Sequence, residues 1–455
     1  MKKVKHIGKF HKSMYNKEKL WGVRSMSLPA EIAHAYTEIL REELLVAMGC
    51  TEPIAIAYGA AILSKTLGVR PEEIDIYLSG NIIKNVKSVI VPATGGLCGI
   101  EAAVSAGIVA CAPEKKLEVL SVLTPELQSQ VALYLKSCRF KVSEMDSLYT
   151  FDLLLEGRVF GHTAKVQINK NHTNVVLVEL DDADLTDGYI QTLQEYERMG
   201  TDRSLLNVQD IVAFADETDL EFLRPLLVRQ MGMNMAIARE GLTNDYGACI
   251  GKVLYRNGNA SLRDRARAMA AAGSDARMSG CEMPVSIISG SGNQGITASV
   301  PVVVYGMEMG VPEDTLLRAL LVSDLITIHQ KTGIGCLSAY CGAISAGCGC
   351  ATGICYLNGG RFYEIAHTLV NSVAILSGTI CDGAKPSCAA KIAMAVEAGI
   401  MGYEMMRSGN QFYGGDGIVT KGVENTIRNI GRLAREGMGE TDKHIIRIML
   451  EPSGC

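Results

Sequence analysis

Residues Met283–Met307 read MPVSIISGSGNQGITASVPVVVYGM, a run with no formal charge. A stretch this long and apolar could cross a membrane as one helix. Pro284, Pro301 and the glycines of Ser289–Gly295 break it. It therefore predicts an apolar segment, a Gly/Ser turn and then a helix, all buried in a soluble core. Two further uncharged stretches read the same way. Gly333–Gly360 is mostly Gly, Ala, Ser and Cys, and Ile365–Cys381 holds His367 and Asn371. From Val208 onward helical periods dominate and strand signals vanish, which predicts an all-α unit over 208–455.

Upstream the texture differs. Ser27 as N-cap and Pro29 in the first turn open a helix with Ile32, Tyr36, Ile39, Leu40 and Leu44 as its apolar stripe. A second helix is expected over Ile54–Leu67, a small-residue helix over Gly99–Ala110 and another over Pro125–Ser137. Strands are expected at Ile74–Ser79, Ser88–Val91, Leu117–Leu123, Phe151–Glu156, His162–Ile168 and Asn174–Leu180, with turns at Glu156–Gly157 and Asn169–Asn171. The fold class is thus α+β: an α/β domain over 26–200 with a small mixed or antiparallel sheet, then the helical domain. Asp182–Asn207 is the candidate linker, and residues 1–25 are a basic extension.

Composition narrows the function. A net charge of −5 and 5% aromatic residues argue against a nucleic-acid reader. The Lys-rich start has no apolar core behind it, so it is not a secretory signal and a cytoplasmic location is expected. The 14 cysteines are then expected to stay reduced.

Three segments carry chemistry. Glycines in Ser289–Gly295 let the backbone approach a ligand, and the helix start behind them attracts an anion. Ser289, Ser291 and Asn293 add side-chain hydrogen bonds. No P-loop lysine follows, so a single carboxylate fits better than a triphosphate. In Cys381–Asp382–Gly383–Ala384–Lys385–Pro386–Ser387–Cys388 a turn lets both thiols face one point. Thiolates suit zinc or iron–sulfur, and the spacing favours an iron–sulfur site completed by a distant cysteine. In Gly49–Cys50–Thr51–Glu52–Pro53 a thiol stands at a helix end beside a carboxylate. Read alone, it is either a lowered-pKa base or a buried turn residue. His329, alone on a helix flank, serves either structure or catalysis.

Gly49–Pro53, Ser289–Gly295 and the trio Cys341, Cys381 and Cys388 together resemble the L-cysteine desulfidase family, related to the alpha-chain domain of iron–sulfur L-serine dehydratases. The resemblance covers nearly the whole chain from Met26. It implies breakdown of cysteine to pyruvate, ammonia and sulfide. It implies a [4Fe-4S] cluster on Cys341, Cys381 and Cys388, with the fourth iron open to substrate. Cys50 matches the family's proposed catalytic thiol. Cys455 either caps the open iron or ends a frayed tail.

Under this reading Cys50 is the leading base if its pKa is tuned toward neutrality, with Glu52 and His329 behind it. Ser289, Gly290, Ser291, Gly292, Asn293 and Gln294 seat the substrate carboxylate, and Thr94 is a second-tier contact. The partner is a small amino acid, with no nucleic acid and no membrane, and the apolar helical half suggests a homodimer. Alternatives are an iron–sulfur L-serine dehydratase, a pyridoxal-phosphate lyase, for which neither Lys331 nor Lys385 sits beside a phosphate cradle, and a non-catalytic thiol sensor or zinc-storage protein.

Overall fold

The computed structural model describes residues 28–189, 200–255, 260–335 and 337–451. The chain starts with α1 (Ala30–Glu43), β1 (Val46–Met48) and α2 (Thr51–Leu67). Pro29 is the N-cap of α1, and Tyr36, Ile39 and Leu40 form its buried stripe. α2 has no polar face: every residue from Thr51 to Ser64 is buried. It packs on the sheet on one side and on α4 on the other, which accounts for its all-round apolar and small composition.

The sheet is built from β2 (Glu73–Leu78), β3 (Arg139–Glu144), β4 (Asp152–Val159), β5 (His162–Asn169), β6 (Val175–Leu180) and β7 (Ala183–Asp184). Between β2 and β3 lie α3 (Gly80–Val86), α4 (Ile100–Ala110), a run of 3-10 turns (Pro113–Val122) and α5 (Pro125–Ser137). The strand order is β3-β2-β4-β5-β6-β7, with β2 and β3 parallel and the other neighbours antiparallel. Alternate residues Leu153, Leu155, Ala164, Val166 and Ile168 are buried, as the two-residue period of a half-covered sheet requires.

The remainder is helical: α6 (Val208–Glu217), α7 (Arg224–Thr243), α8 (Ile250–Tyr255), α9 (Leu262–Met278), strand β8 (Pro284–Ser286), α10 (Gly292–Met309), α11 (Glu313–Ile334), α12 (Gly342–Leu357), α13 (Phe362–Leu376), α14 (Cys388–Arg407), α15 (Val423–Arg432) and α16 (Gly439–Leu450). The Gly/Ala/Ser/Cys composition of α12 has a steric cause. A Cβ at Gly347 would lie 2.5 Å from the Ala395 carbonyl oxygen, and one at Gly349 would lie 2.1 Å from Thr327 Oγ1. The small residues let α11 and α14 close on α12 at backbone distance. The architecture is α+β, and among the described residues no helix is long and apolar enough to cross a membrane.

Several local expectations are corrected. Ser88–Val91 is a loop with a single bridge between Ile90 and Cys98. Leu117–Leu123 lies largely in the 3-10 turns, with Val119 and Leu120 buried. β3 was not foreseen, because it is a charged edge strand with only partial burial. β4 runs through Glu156–Gly157 and turns at Phe160–Gly161, both at positive φ. The helical half does contain a strand: β8 pairs antiparallel with β1. α1 also packs into the helical core, where Tyr36 meets Phe214 edge-on at 5.5 Å and donates its hydroxyl to the Leu205 carbonyl. Residues 1–25, Ser27, Cys336 and Cys455 lie outside the described residues.

Candidate active site

Cys341, Cys381 and Cys388 line one cavity of about 110 Å³. Tyr340 and Ile380 form an isolated antiparallel bridge. Cys341 N–H donates to the Thr379 carbonyl and Cys381 N–H to the Ala339 carbonyl. These bonds set Cys341 and Cys381 side by side, and their side chains are hydrogen-bonded. Cys388 comes back through the turn that begins at Cys381. Asp382 holds that turn through ion pairs with Lys385 and Lys391. The three thiols are free, not paired in disulfides. The bond to Cys341 holds Cys381 down to about 6, helped by Lys84 and Lys331, while the same bond and burial push Cys341 well up. Among the described residues no three His, Cys, Asp or Glu side chains are arranged for a single metal ion.

The opposite wall is the turn before α10. Ile288 and Ser291 exchange both backbone hydrogen bonds, at 3.2 and 3.0 Å. Ser289 and Gly290 between them have φ of 47° and 75°, so the turn is a tight mirror-image hairpin of the kind that requires positive φ twice. It is tied down from outside. Ser289 N–H donates to Glu43, and Thr51 Oγ1 donates to the Gly290 carbonyl. Ser291 is the N-cap of α10 and contributes no side-chain cap, so the first amides of that helix keep their positive end directed outward.

Cys50 and Glu52 form the third wall. Glu52 Oε2 accepts from Cys50 Sγ at 3.0 Å and from Thr51 Oγ1 at 3.1 Å, and its Oε1 accepts from Asn85 Nδ2 at 3.0 Å. Burial works against the charge on Glu52, yet its neighbours keep its carboxyl below the ordinary range. His172, on the β5–β6 turn, packs against Phe151 with ring centroids 4.7 Å apart and the planes tilted by 57°. Its Nε2 is enclosed without a partner, and burial pushes it toward the neutral form. At neutral pH, Glu52 is therefore held ionised by its hydrogen bonds and by Arg277 rather than by a histidine charge. Cys50 goes the other way from the expected tuning: burial, then the Glu52 charge, push its thiol well up. Those two effects outweigh its place at the start of α2.

The cavity is basic. Lys84, Arg277, Lys331 and Lys391 line it. Lys84 is buried and paired with Asp442 of α16. Four helices also begin here: Cys50 caps α2, Ser291 caps α10, Cys341 caps α12, and Cys388 is the first residue of α14. Helix starts carry partial positive charge and favour thiolates and other anions.

Of the residues expected from sequence, Cys50, Glu52, Ser289, Gly290, Ser291, Asn293, Gln294, Cys341, Cys381 and Cys388 all line this cavity. Gly292 starts α10 beside them. Two lie elsewhere. Thr94 closes its own loop by donating to the Val91 carbonyl at 2.7 Å. His329 Nε2 pairs with Glu424 at 2.7 Å. Sequence reasoning did not single out His172, Arg277, Lys84 or Asn85. His172 and Arg277 come from a hairpin turn and a charged helix that carry no motif.

The family model described as serine dehydratase alpha chain matches residues 114–447, and the chain belongs to that family. It is 53% identical to a UPF0597 protein of Desulfitobacterium hafniense over 91% of this chain and 96% of that protein. It is 45% identical to one of Treponema denticola over 94% and 100%, and 36% identical to one of Bacteroides thetaiotaomicron over 92% and 98%.

Proposed function

We propose that the protein is an iron–sulfur-dependent α,β-eliminating lyase that converts L-cysteine to pyruvate, ammonia and hydrogen sulfide. One observation carries this reading: three free thiols share a basic cavity with an acid–base pair and a carboxylate seat. The donor set fits the cluster. Cys341, Cys381 and Cys388 would hold three corners of a [4Fe-4S] cluster, with Cys50 engaged by Glu52 instead, and the surrounding lysines and helix starts would offset its negative charge. Bound at Cys341, Cys381 and Cys388, the cluster would supply a Lewis-acidic iron for the leaving sulfur.

The chain's own residues do the rest. The α10 start, with Ser289 and Ser291, seats the carboxylate and stabilises charge that spreads onto it from Cα. Cys50 and Glu52 move the proton. The Cys50 thiol is pushed up and Glu52 is held ionised, so the pair works as a relay: Cys50 passes its thiol proton to Glu52 as its sulfur takes the Cα proton, and no free thiolate has to form. The C–S bond breaks, the sulfur leaves as sulfide, and the aminoacrylate hydrolyses in water to pyruvate and ammonia.

The description of the family model favours a second reading, the same elimination from L-serine. The test is anaerobic reconstitution with iron and sulfide, followed by steady-state turnover of L-cysteine and L-serine. Sulfide release with cysteine preferred supports the proposal. Faster turnover of serine selects the dehydratase. Stoichiometric zinc with no ammonia from either substrate defeats both.

A further inference from the structure

Three polar atoms at the α10 side of this cavity are enclosed without a hydrogen-bond partner, and their chemistry is complementary to one kind of ligand. Arg277 is 3% exposed. Among the described residues its guanidinium makes no hydrogen bond or ion pair with a carboxylate, the ionised Glu52 acting on it only at a distance, and its Nε has no acceptor. An unpaired buried cation is costly, so the site is built around an anion that arrives later. The guanidinium lies against the first residue of α10: a Cβ at Gly292 would stand 2.4 Å from Arg277 Nε. That places it at the seat formed by the start of α10.

The acceptors are on the same helix turn. Asn293 Oδ1 and Gln294 Oε1 are both buried and unpartnered. Asn293 is oriented by its Nδ2, which lies 3.5 Å from Met278 Sδ. Gln294 lies over Gly342, where a Cβ would fall 2.7 Å from its amide carbon, beside Cys341. Two bare carbonyl oxygens next to a bare guanidinium form a cradle with one donor side and one acceptor side.

We infer that Arg277 binds the α-carboxylate of the substrate and that the Asn293 and Gln294 side-chain oxygens bind its α-ammonium, so the site selects a zwitterionic α-amino acid whatever its β-substituent. This rests on the lyase reading for its substrate class, but binding can be tested without the reaction.

The experiment uses the full-length, cluster-free protein and three probes that cannot be eliminated: L-alanine, ethylamine without the carboxylate, and propionate without the amine. Calorimetric titration is expected to show L-alanine binding at least ten times tighter than either. Arg277→Gln is expected to abolish the preference over ethylamine. Gln294→Met is expected to weaken the preference over propionate at least threefold. Arg277→Lys keeps the charge but loses the planar fork, and is expected to lose at least threefold. It decides the matter if the glutamine variant does not fold. Equal affinity for the three probes, absence of binding, or an unchanged carboxylate preference in the Arg277 variants overturns the inference. Alanine binding with no turnover of cysteine or serine after reconstitution defeats the lyase reading and leaves the zwitterion cradle standing.

Discussion

Asp324 sits fully buried on α11, two turns before Lys331 reaches the cavity. Its Oδ1 accepts from Gln230 Nε2 at 3.0 Å, while its Oδ2 and Gln230 Oε1 have no partner. Among the described residues no cation is paired with it, and burial raises its carboxyl from 3.8 to about 7. The folded value lies above the unfolded one. Its stabilising contribution is therefore complete below about pH 4 and is lost as pH rises toward 7. The full loss is about 4 kcal/mol in alkaline solution, of which roughly half is already present near pH 5.5. Asp324→Asn removes the ionisation and puts an amide donor where Oδ2 lacked a partner. With an unfolding entropy of roughly 2.1 cal/mol/K per residue, the variant should melt about 4 °C above the parent near pH 8.5 and about half as much above it near pH 5.5. Thermal melts of both proteins at the two pH values measure this, and the parent–variant difference cancels every other titrating group. A difference that does not change with pH, or that favours the parent in alkali, refutes the reasoning.

Other expectations concern the site. Cys388→Ala should abolish both the brown colour of the reconstituted protein and its activity, read by absorbance and sulfide release. Glu52→Gln should keep the colour but lower kcat by roughly a hundredfold or more, since the acceptor for the Cys50 proton is gone; an unchanged kcat would remove Glu52 from the chemistry. Gly292→Ala should push Arg277 off α10 and raise KM for L-cysteine about tenfold with little change in melting temperature. Asp442→Asn leaves Lys84 buried and unpaired, and should cost about 3 kcal/mol in denaturant unfolding, a loss that a Lys84→Met partner change recovers.

The parts of the site legible in the sequence were those whose local chemistry is self-contained. Ser289–Gly290 had to turn, Cys381–Cys388 had to loop, and Cys50 and Glu52 were two residues apart. The parts that were not legible depend on who is across the cavity. Arg277 belongs to a helix that also carries Arg263, Arg265 and Arg267, which pair with carboxylates near the surface. Nothing in that run marks one arginine as buried. His172 reads as one more polar residue in Asn169–Asn174, and only the sheet's register carries that turn to Gly290. The strand misreadings have the same origin. Leu117–Leu123 has the apolar content of a strand but no neighbouring edge to pair with, whereas β3 has an edge and little apolar content. The small mixed sheet and the helical second half followed from periodicity alone, but the entry of α1 into the helical core rests on Tyr36 and Phe214, far apart in the chain.

The four helix starts around the cavity come from distant points of the polypeptide, with Cys50 near its beginning and Cys388 near its end. A nascent chain that stops short of α14 owns only part of the ring. Any ligand that needs all four starts meets them only once synthesis has passed Cys388, the last of the four, and a chain cut short before α14 lacks both a helix start and a thiol of this cavity.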